Sequence, residues 1–336
     1  MQIPIEDFLQ KTKTLPIIDV RTSAEFAKGH IPEAINIPIF SNEERAIVGI
    51  KYKQESRDTA MAEAMHFVSQ KVDFYLDEMA KLNVPDKKIL IHCWRGGLRS
   101  GSMARLFAAD GYDVQILEGG YKSYRNLALK SFEQKLKLKI IGGMTGSGKS
   151  DVLKEVKNLG EQIVDLEGIA HHKGSAFGSL GQLEQPTVEQ FENNLHTAFS
   201  KLDVNEPIWL EDESQLVGKV RIPKPLFTQM RVAKVFKLEL SKEHRIQRLV
   251  NEYTDFDKKL INISIQNISR RLGGLAAKQA TEAVAQNDFS TAIYIVLSYY
   301  DKTYSYGLSK REGQTIIPVK LYKDDPKLTA ERLAKL

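Results

Sequence analysis

Two short stretches of this 336-residue chain hold residue types that can do chemistry. HCWRGGLRS, residues 92–100, contains the only cysteine. Cys93 stands where an apolar run, KKILIHC (87–93), gives way to a Gly-Gly turn and then to RSGSMARLFAADG (99–111), which reads as a helix. Loop N–H groups and the positive end of such a helix lower the pKa of a thiol, and Arg95 and Arg99 add cationic charge. That setting makes a thiolate and binds an anion beside it, which suits a phosphoryl group as well as a sulfuryl or selenyl one. The second stretch, GMTGSGKS (143–150), satisfies the Walker A pattern G-x-x-x-x-G-K-[ST]. A chance match in a chain this long is roughly a one per cent event. Backbone N–H groups along Gly143, Thr145, Gly146, Ser147 and Gly148 would converge on phosphate oxygens, Lys149 would reach the terminal phosphate, and Ser150 can ligate Mg²⁺. The partner acid should end a neighbouring strand. Asp212 in WLEDES is expected to share the metal with Ser150, with Glu211 beside it and Asp165 behind. The expected catalytic set is Cys93, Arg95, Arg99 and Lys149. No NKxD guanine-reading motif is present, which argues against a GTPase. The loop calls for a polyphosphate; a nucleoside triphosphate and a diphosphate ester satisfy the same donors.

Alternating elements must position these stretches. PIIDV (16–20) reads as a buried strand, RTSAEFAKG as a short helix closed by Gly29, and AINIPIF (34–40) as a second strand. Between residues 60 and 82 the spacing of Met61, Met65, Val68, Val72, Tyr75, Leu76 and Met79 predicts one helix with an apolar face. VQILEGGYKSY (114–124) reads as a strand and turn. LALKSFEQKLK (127–137) is polar and basic and predicts a junction, giving domains 1–128 and 136–336. Beyond it, LKIIGG (138–143) restarts the pattern, DVLKEVKNLG (151–160) is a helix, and QIVDLEG (162–168), PIWLEDES (207–214) and VAKVFKLEL (232–240) are strands. SKEHRIQRLVNEY and TAIYIVLSYYDKTY are later helices. The expectation is two α/β domains, each built on a parallel sheet covered on both faces, the second with a helical C-terminal part.

Composition narrows the class. Hydrophobic content of 42% and charged content of 27% are ordinary for a globular protein. No apolar stretch is long enough to span a bilayer, so no membrane role is expected. MQIPIEDFLQKTKTLPIIDV lacks a basic region followed by an apolar run, so no signal peptide is expected. A single cysteine excludes internal disulfides and multi-cysteine zinc sites, and argues for a reducing, cytoplasmic setting. Net charge is +5, yet Ser214–Val250 holds nine Lys or Arg against two Glu. A solvated helix face and a phosphate-binding surface would both look like this.

The cysteine stretch also fits the tyrosine-phosphatase signature, but no WPD-like segment offers the acid that a phosphatase needs for its leaving group. The upstream residues separate the readings. DVRTSAEFAKGHIPEAINIP (19–38) resembles the rhodanese family through Asp19-Val20-Arg21, Glu25-Phe26, Gly29-His30-Ile31-Pro32, Ala34 and Asn36-Ile37-Pro38. With the cysteine loop and LEGGY (117–121), that resemblance covers nearly all of residues 1–125. It implies that Cys93 carries sulfur or selenium as a persulfide or perselenide. A rhodanese-like region with CWRGG, joined to GGMTGSGKS, closely resembles the tRNA 2-selenouridine synthase family through the whole chain. That resemblance implies a transferase acting on wobble 2-thiouridine in tRNAs for Lys, Glu and Gln. It implies geranylation of the sulfur by geranyl diphosphate, with Mg²⁺, and then replacement of the geranylthio group by selenium from selenophosphate. An enzyme that supplies selenophosphate is implied as a transient partner.

Alkylation makes chemical sense, because it turns a poor thiocarbonyl leaving group into a neutral thiol and makes C2 more electrophilic. A sulfur carrier that discharges by forming a disulfide would need a second thiol, and this chain has none. Lys219, Arg221, Lys224, Arg231, Arg245 and Arg248 are then expected to contact tRNA phosphates. Arg245 and Arg248, three apart on one helix face, could instead close over the phosphate-loop ligand. Tyr299, Tyr300 and Tyr304 offer stacking surfaces for a splayed base, or core packing. Trp94 either stacks on the base or shapes its loop. His171 and His172 are potential metal ligands but have no other clustered ligands beside them; His172 and Lys173 better suit a contact to phosphate or nucleic acid, or a plain surface loop. Phe40, Arg45 and Tyr52 lie in a polar insert with no assigned role. Two rivals stand: an ATP-dependent tRNA sulfurtransferase using a Cys93 persulfide, and a non-catalytic adaptor that switches on nucleotide.

Overall fold

In a parallel sheet the strands are short apolar runs, because helices cover both faces. In the computed structural model, which describes residues 1–311 and 316–336, the chain divides into two such units, Met1–Ser131 and Phe132–Leu336.

The first unit holds strands β1 (Gln2–Ile3), β2 (Ile17–Asp19), β3 (Ile35–Asn36), β4 (Lys88–His92) and β5 (Asp113–Leu117), all parallel, in the order β1-β5-β4-β2-β3. Cys93 follows the middle strand, β4. Alternation along β4 sends Ile89 and Ile91 into one core with Tyr75, Met79 and Phe107. Leu90 enters the opposite core with Phe8, Ile17 and Tyr121. Helices α1 (Ile5–Lys11), α2 (Ser23–Lys28), α3 (Asn42–Gln54), α4 (Arg57–Ser69), α5 (Val72–Lys81), α6 (Leu98–Ala109) and α7 (Gly120–Ser131) complete the unit.

Two expectations are corrected here. Residues 60–82 are not one helix: the chain breaks between α4 and α5, with Lys71 at φ −122°, ψ 12°. The Lys71 ammonium donates to Ile39 O at 3.2 Å and pairs with Glu44 at 2.5 Å, so tertiary partners outweigh the continuous apolar spacing. The turn after β5 is the start of α7, whose Tyr121, Tyr124 and Ala128 are buried; the boundary between the units, at Ser131/Phe132, falls inside the stretch 127–137. The polar insert is helical: α3 opens on a capping box between Ser41 and Glu44.

The second unit holds β6 (Leu138–Gly143), β7 (Gln162–Val164), β8 (Ile208–Glu211), β11 (Lys234–Glu239) and β12 (Ile316–Lys320), again parallel, in the order β12-β11-β6-β8-β7. A hairpin of β9 (Leu216–Val217) and β10 (Val220–Arg221) lies outside that sheet. The glycine-rich loop leaves the middle strand, β6, and runs into α8 (Lys149–Asn158). Asp165 does not extend β7; its carboxylate accepts from Gly168 N at 2.7 Å and caps α9 (Leu166–Ala170). Helices α10 (Val188–Phe199), α11 (Lys224–Val232) and α16 (Pro326–Leu333) flank the sheet strands in sequence. A helical part follows β11: α12 (Lys242–Tyr253), α13 (Lys258–Leu272), α14 (Gly274–Ala285) and α15 (Phe289–Ser309). Ile261, Ile265, Ala280, Val284 and Val296 form its core. Among the described residues no helix is long and apolar enough to cross a membrane.

Candidate functional site

The DVR signature residues build the floor beneath Cys93. Arg21 is buried and donates to Asp19 Oδ2 at 2.5 Å and to Gly29 O at 2.8 Å, with its guanidinium 3.8 Å from the Tyr121 ring centre. Asn36 Nδ2 donates to the backbone oxygens of Asp19 and Arg21 at 2.8 and 2.9 Å. Burial opposes ionisation of Asp19, but His92 and Arg21 outweigh it and hold the carboxyl below its ordinary value.

Cys93 is buried, and its Sγ lies 3.3 Å from Ser100 Oγ. Burial disfavours the thiolate. Hydrogen bonds from the Ser100 side chain and backbone, from the Arg95 N–H, and the charge of Arg99 more than offset it, so the thiol sits below its ordinary value. Ser100, the last residue of the quoted stretch, was given no role by the sequence. Arg99 is itself engaged: it forms a two-pronged pair with Glu25, at 2.6 and 3.2 Å. The Arg95 and Trp94 side chains are exposed at the loop. LEGGY supports this loop directly. Tyr121 N donates to Cys93 O at 2.8 Å and Lys122 N to Trp94 O at 3.0 Å. Gly120 has φ +59°, and a Cβ there would sit 2.4 Å from Gly96 N and 2.5 Å from Cys93 O.

In the second unit, Gly146 and Gly148 both have φ +79°, and each packs where a Cβ would press on Leu249 or Arg248. The loop is braced from two sides. Gly143 N donates to Tyr304 Oη at 2.8 Å, and that hydroxyl donates to Asp212 Oδ2 at 3.2 Å. Arg245 Nη1 donates to Thr145 O at 3.1 Å. Ser147 Oγ is buried without a hydrogen-bond partner, as a group awaiting an acceptor or donor would be. A cleft of about 1400 Å³ runs along the loop and is lined by Lys149, Ser150, Glu167, His172, Glu213 and Tyr300 among others.

The metal expectation changes at one residue. Asp212 is paired with Arg311 and bonded by Tyr304, so its carboxylate is spent. Ser150 Oγ instead donates to Glu167 Oε2 at 2.7 Å. Burial and then the Glu167 charge push Glu213 up to about 8, which leaves it protonated at neutral pH and hydrogen-bonded to Glu167. Burial and the same acids raise Glu211 as well, and its Oε1 has no partner. Among the described residues no group of three or more His, Cys, Asp or Glu could by itself hold a metal. Mg²⁺ at a phosphate loop keeps waters and phosphate oxygens and takes only one or two protein ligands, so Ser150 and Glu167 fit it.

The basic candidates separate. Arg245 is 4% exposed and held by Asp301 at 2.8 and 2.9 Å; it clamps the loop and offers nothing to a polyanion outside. Arg248 lines the cleft but pairs with Asp151 and, at 2.6 Å, with Asp324. Lys219 and Arg231 line the cleft, and Arg231 donates to Gly307 O at 3.1 Å. Arg221 and Lys224 are exposed outside it. Tyr304 is a brace for the loop, while Tyr299 and Tyr300 line the cleft with ring centres 5.1 Å apart. His171 Nδ1 donates to Glu184 O at 2.8 Å, outside the cleft lining; His172 lines the cleft with its Nδ1 unpartnered. Lys173 pairs with Glu252.

Comparison with known proteins places both regions. Residues 5–127 match a family model described as a rhodanese-like domain, and residues 136–324 match one described as the tRNA 2-selenouridine synthase AAA domain. A tRNA 2-selenouridine synthase of Shewanella frigidimarina is 34% identical over 340 residues, covering 90% of each chain. One from Sulfurovum sp. is 33% identical and covers 90% of this chain and 91% of its own. A solved N-terminal domain of a putative ATP/GTP binding protein from Clostridium difficile 630 is 40% identical, covering 38% of this chain and 99% of its own, with a TM-score of 0.36.

Proposed function

Because the chain belongs to the tRNA 2-selenouridine synthase family, we propose that it geranylates the sulfur of wobble 2-thiouridine in tRNA and then exchanges the geranylthio group for selenium. The observation that supports this reading most is the presence, on one chain, of a thiolate-favouring loop at Cys93 and a glycine-rich loop backed by Ser150 and Glu167.

In the first reaction the glycine-rich loop holds the diphosphate of geranyl diphosphate. The thiouridine sulfur attacks C1 of the geranyl group, the C1–O bond breaks, pyrophosphate leaves, and the N3 proton of the base is lost to solvent. Lys149 and the loop N–H groups stabilise the charge that gathers on it. When bound at Ser150 and Glu167, Mg²⁺ would offset part of the same charge. In the second reaction the Cys93 loop positions selenophosphate; its selenium attacks C2, the C2–S bond breaks and the geranyl thiol departs, and water then cleaves the Se–P bond to release phosphate. Exposed Lys219, Arg221 and Lys224 hold tRNA phosphates.

Nucleoside mass spectrometry tests this. Tubes containing 2-thiouridine tRNA, protein, geranyl diphosphate and Mg²⁺ should yield S-geranyl-2-thiouridine, and adding selenophosphate should yield 2-selenouridine. Unchanged thiouridine in both, with modification appearing on ATP, would replace this reading by the ATP-dependent sulfurtransferase.

A further inference from the structure

The helical insert of the first unit encloses a second cleft that the reactions above do not use. It has about 1120 Å³ and lies among α3, α4 and the start of α6. That is the scale of ligand clefts, about 300–1,000 Å³. Its floor is apolar, with Ala64, Val68 and Met61. Ile50, Met65 and Leu98 stay 53%, 67% and 51% exposed along it, more apolar surface than packing requires. Its rim is cationic: Arg45, Lys53, Arg99 and Arg105. Among the described residues, Arg45, Lys53 and Arg105 form no ion pair with an acid, and only Arg99 is committed, to Glu25. Leu98 and Arg99 open α6 directly after the cysteine loop, and the next residue, Ser100, is the one that touches the Cys93 sulfur.

We propose that this cleft seats the isoprenoid chain of a prenylated RNA, with the nucleotide's thioether brought to the Cys93 loop. Resting on the reading above, the occupant is the S-geranyl-2-thiouridine of the tRNA between its two reactions. An apolar floor calls for hydrocarbon, and unpaired cations call for phosphate. A hydrocarbon chain attached to a polyanion satisfies both at once.

The test uses the full-length protein and two fluorescent anticodon stem-loops, one with S-geranyl-2-thiouridine and one with 2-thiouridine. The wild type should bind the geranylated stem-loop more tightly. Ile50→Ser/Met65→Ser, at two exposed positions, should cut that preference by about ten-fold or more while leaving binding of the 2-thiouridine stem-loop and its geranylation rate unchanged. Arg45→Ala/Lys53→Ala should weaken both stem-loops alike and flatten the salt dependence. An Ile50→Ser/Met65→Ser variant that geranylates normally and keeps the full preference would overturn the cleft assignment and leave the proposed function standing. Loss of a wild-type dimer in that variant, with the preference intact, would reassign the cleft to self-association. A wild type that forms no geranylated nucleoside would overturn both readings.

Discussion

At the scale of residues, the thiol of Cys93 is tuned by neighbours rather than by exposure. Its pKa lies below the ordinary value because Ser100 and the Arg95 N–H favour the anion against burial. As the chain has one cysteine, iodoacetamide uptake reports this group alone. Alkylation should reach half its maximal rate at a pH below the ordinary 9.0 of a thiol, and Ser100→Ala should move that midpoint upward. A midpoint unaffected by Ser100→Ala would assign the shift to the loop backbone. Cys93→Ala should block selenation and spare geranylation. Lys149→Ala should lower geranylation by about a hundred-fold or more. Glu167→Gln should raise the Mg²⁺ concentration needed for geranylation, whereas Asp212→Asn should act through loss of its pair with Arg311. Equal Mg²⁺ demand in wild type and Glu167→Gln would remove Glu167 from the metal.

At the scale of elements, two connections decide whether β4 can present its cysteine. One is the buried Asp19–Arg21 pair at the end of β2, which pairs with β4 through Asp19 and His92. Arg21→Leu leaves Asp19 as an uncompensated buried charge, and should cost about 3–5 kcal/mol in urea denaturation. The folded pKa of Asp19 is depressed. Its stabilisation is therefore present above the unfolded value and is lost as pH falls through the folded one. The wild type should lose more stability than the Arg21→Leu variant as pH is lowered through the acid range below 3.8, the ordinary value of an aspartate. The other connection is the Gly-Gly start of α7. Gly120→Ala places a methyl against two backbone atoms of the cysteine loop, so it should slow Cys93 alkylation as well as destabilise the first unit.

At the scale of the whole molecule, each unit presents its candidate site at the end of its middle strand, β4 or β6, where loops of a parallel sheet converge. The surface of the second unit offers fewer free cations than its sequence lists. Lys219→Ala should reduce the slope of log affinity against log salt for tRNA by about 0.7–0.9. Arg245→Ala should destabilise the loop and leave that slope unchanged, because Arg245 is buried against Asp301. A reduced slope in Arg245→Ala would return it to the RNA surface.

The sequence by itself determined the two parallel-sheet units, the cysteine loop and the glycine-rich loop, because each depends on a local strand–loop–helix order that residue types within ten positions specify. Only the tertiary structure decided which acids and cations are free. Asp212, Arg245 and Arg248 look available in one dimension, yet their partners Arg311, Asp301 and Asp324 lie 56–99 positions away. The same holds for the helix break at Lys71, fixed by Ile39 and Glu44, and for the apolar cleft, whose walls come from α3, α4 and α6. Pairing at such separations follows from how the sheets stack their helices, which residue periodicity does not encode.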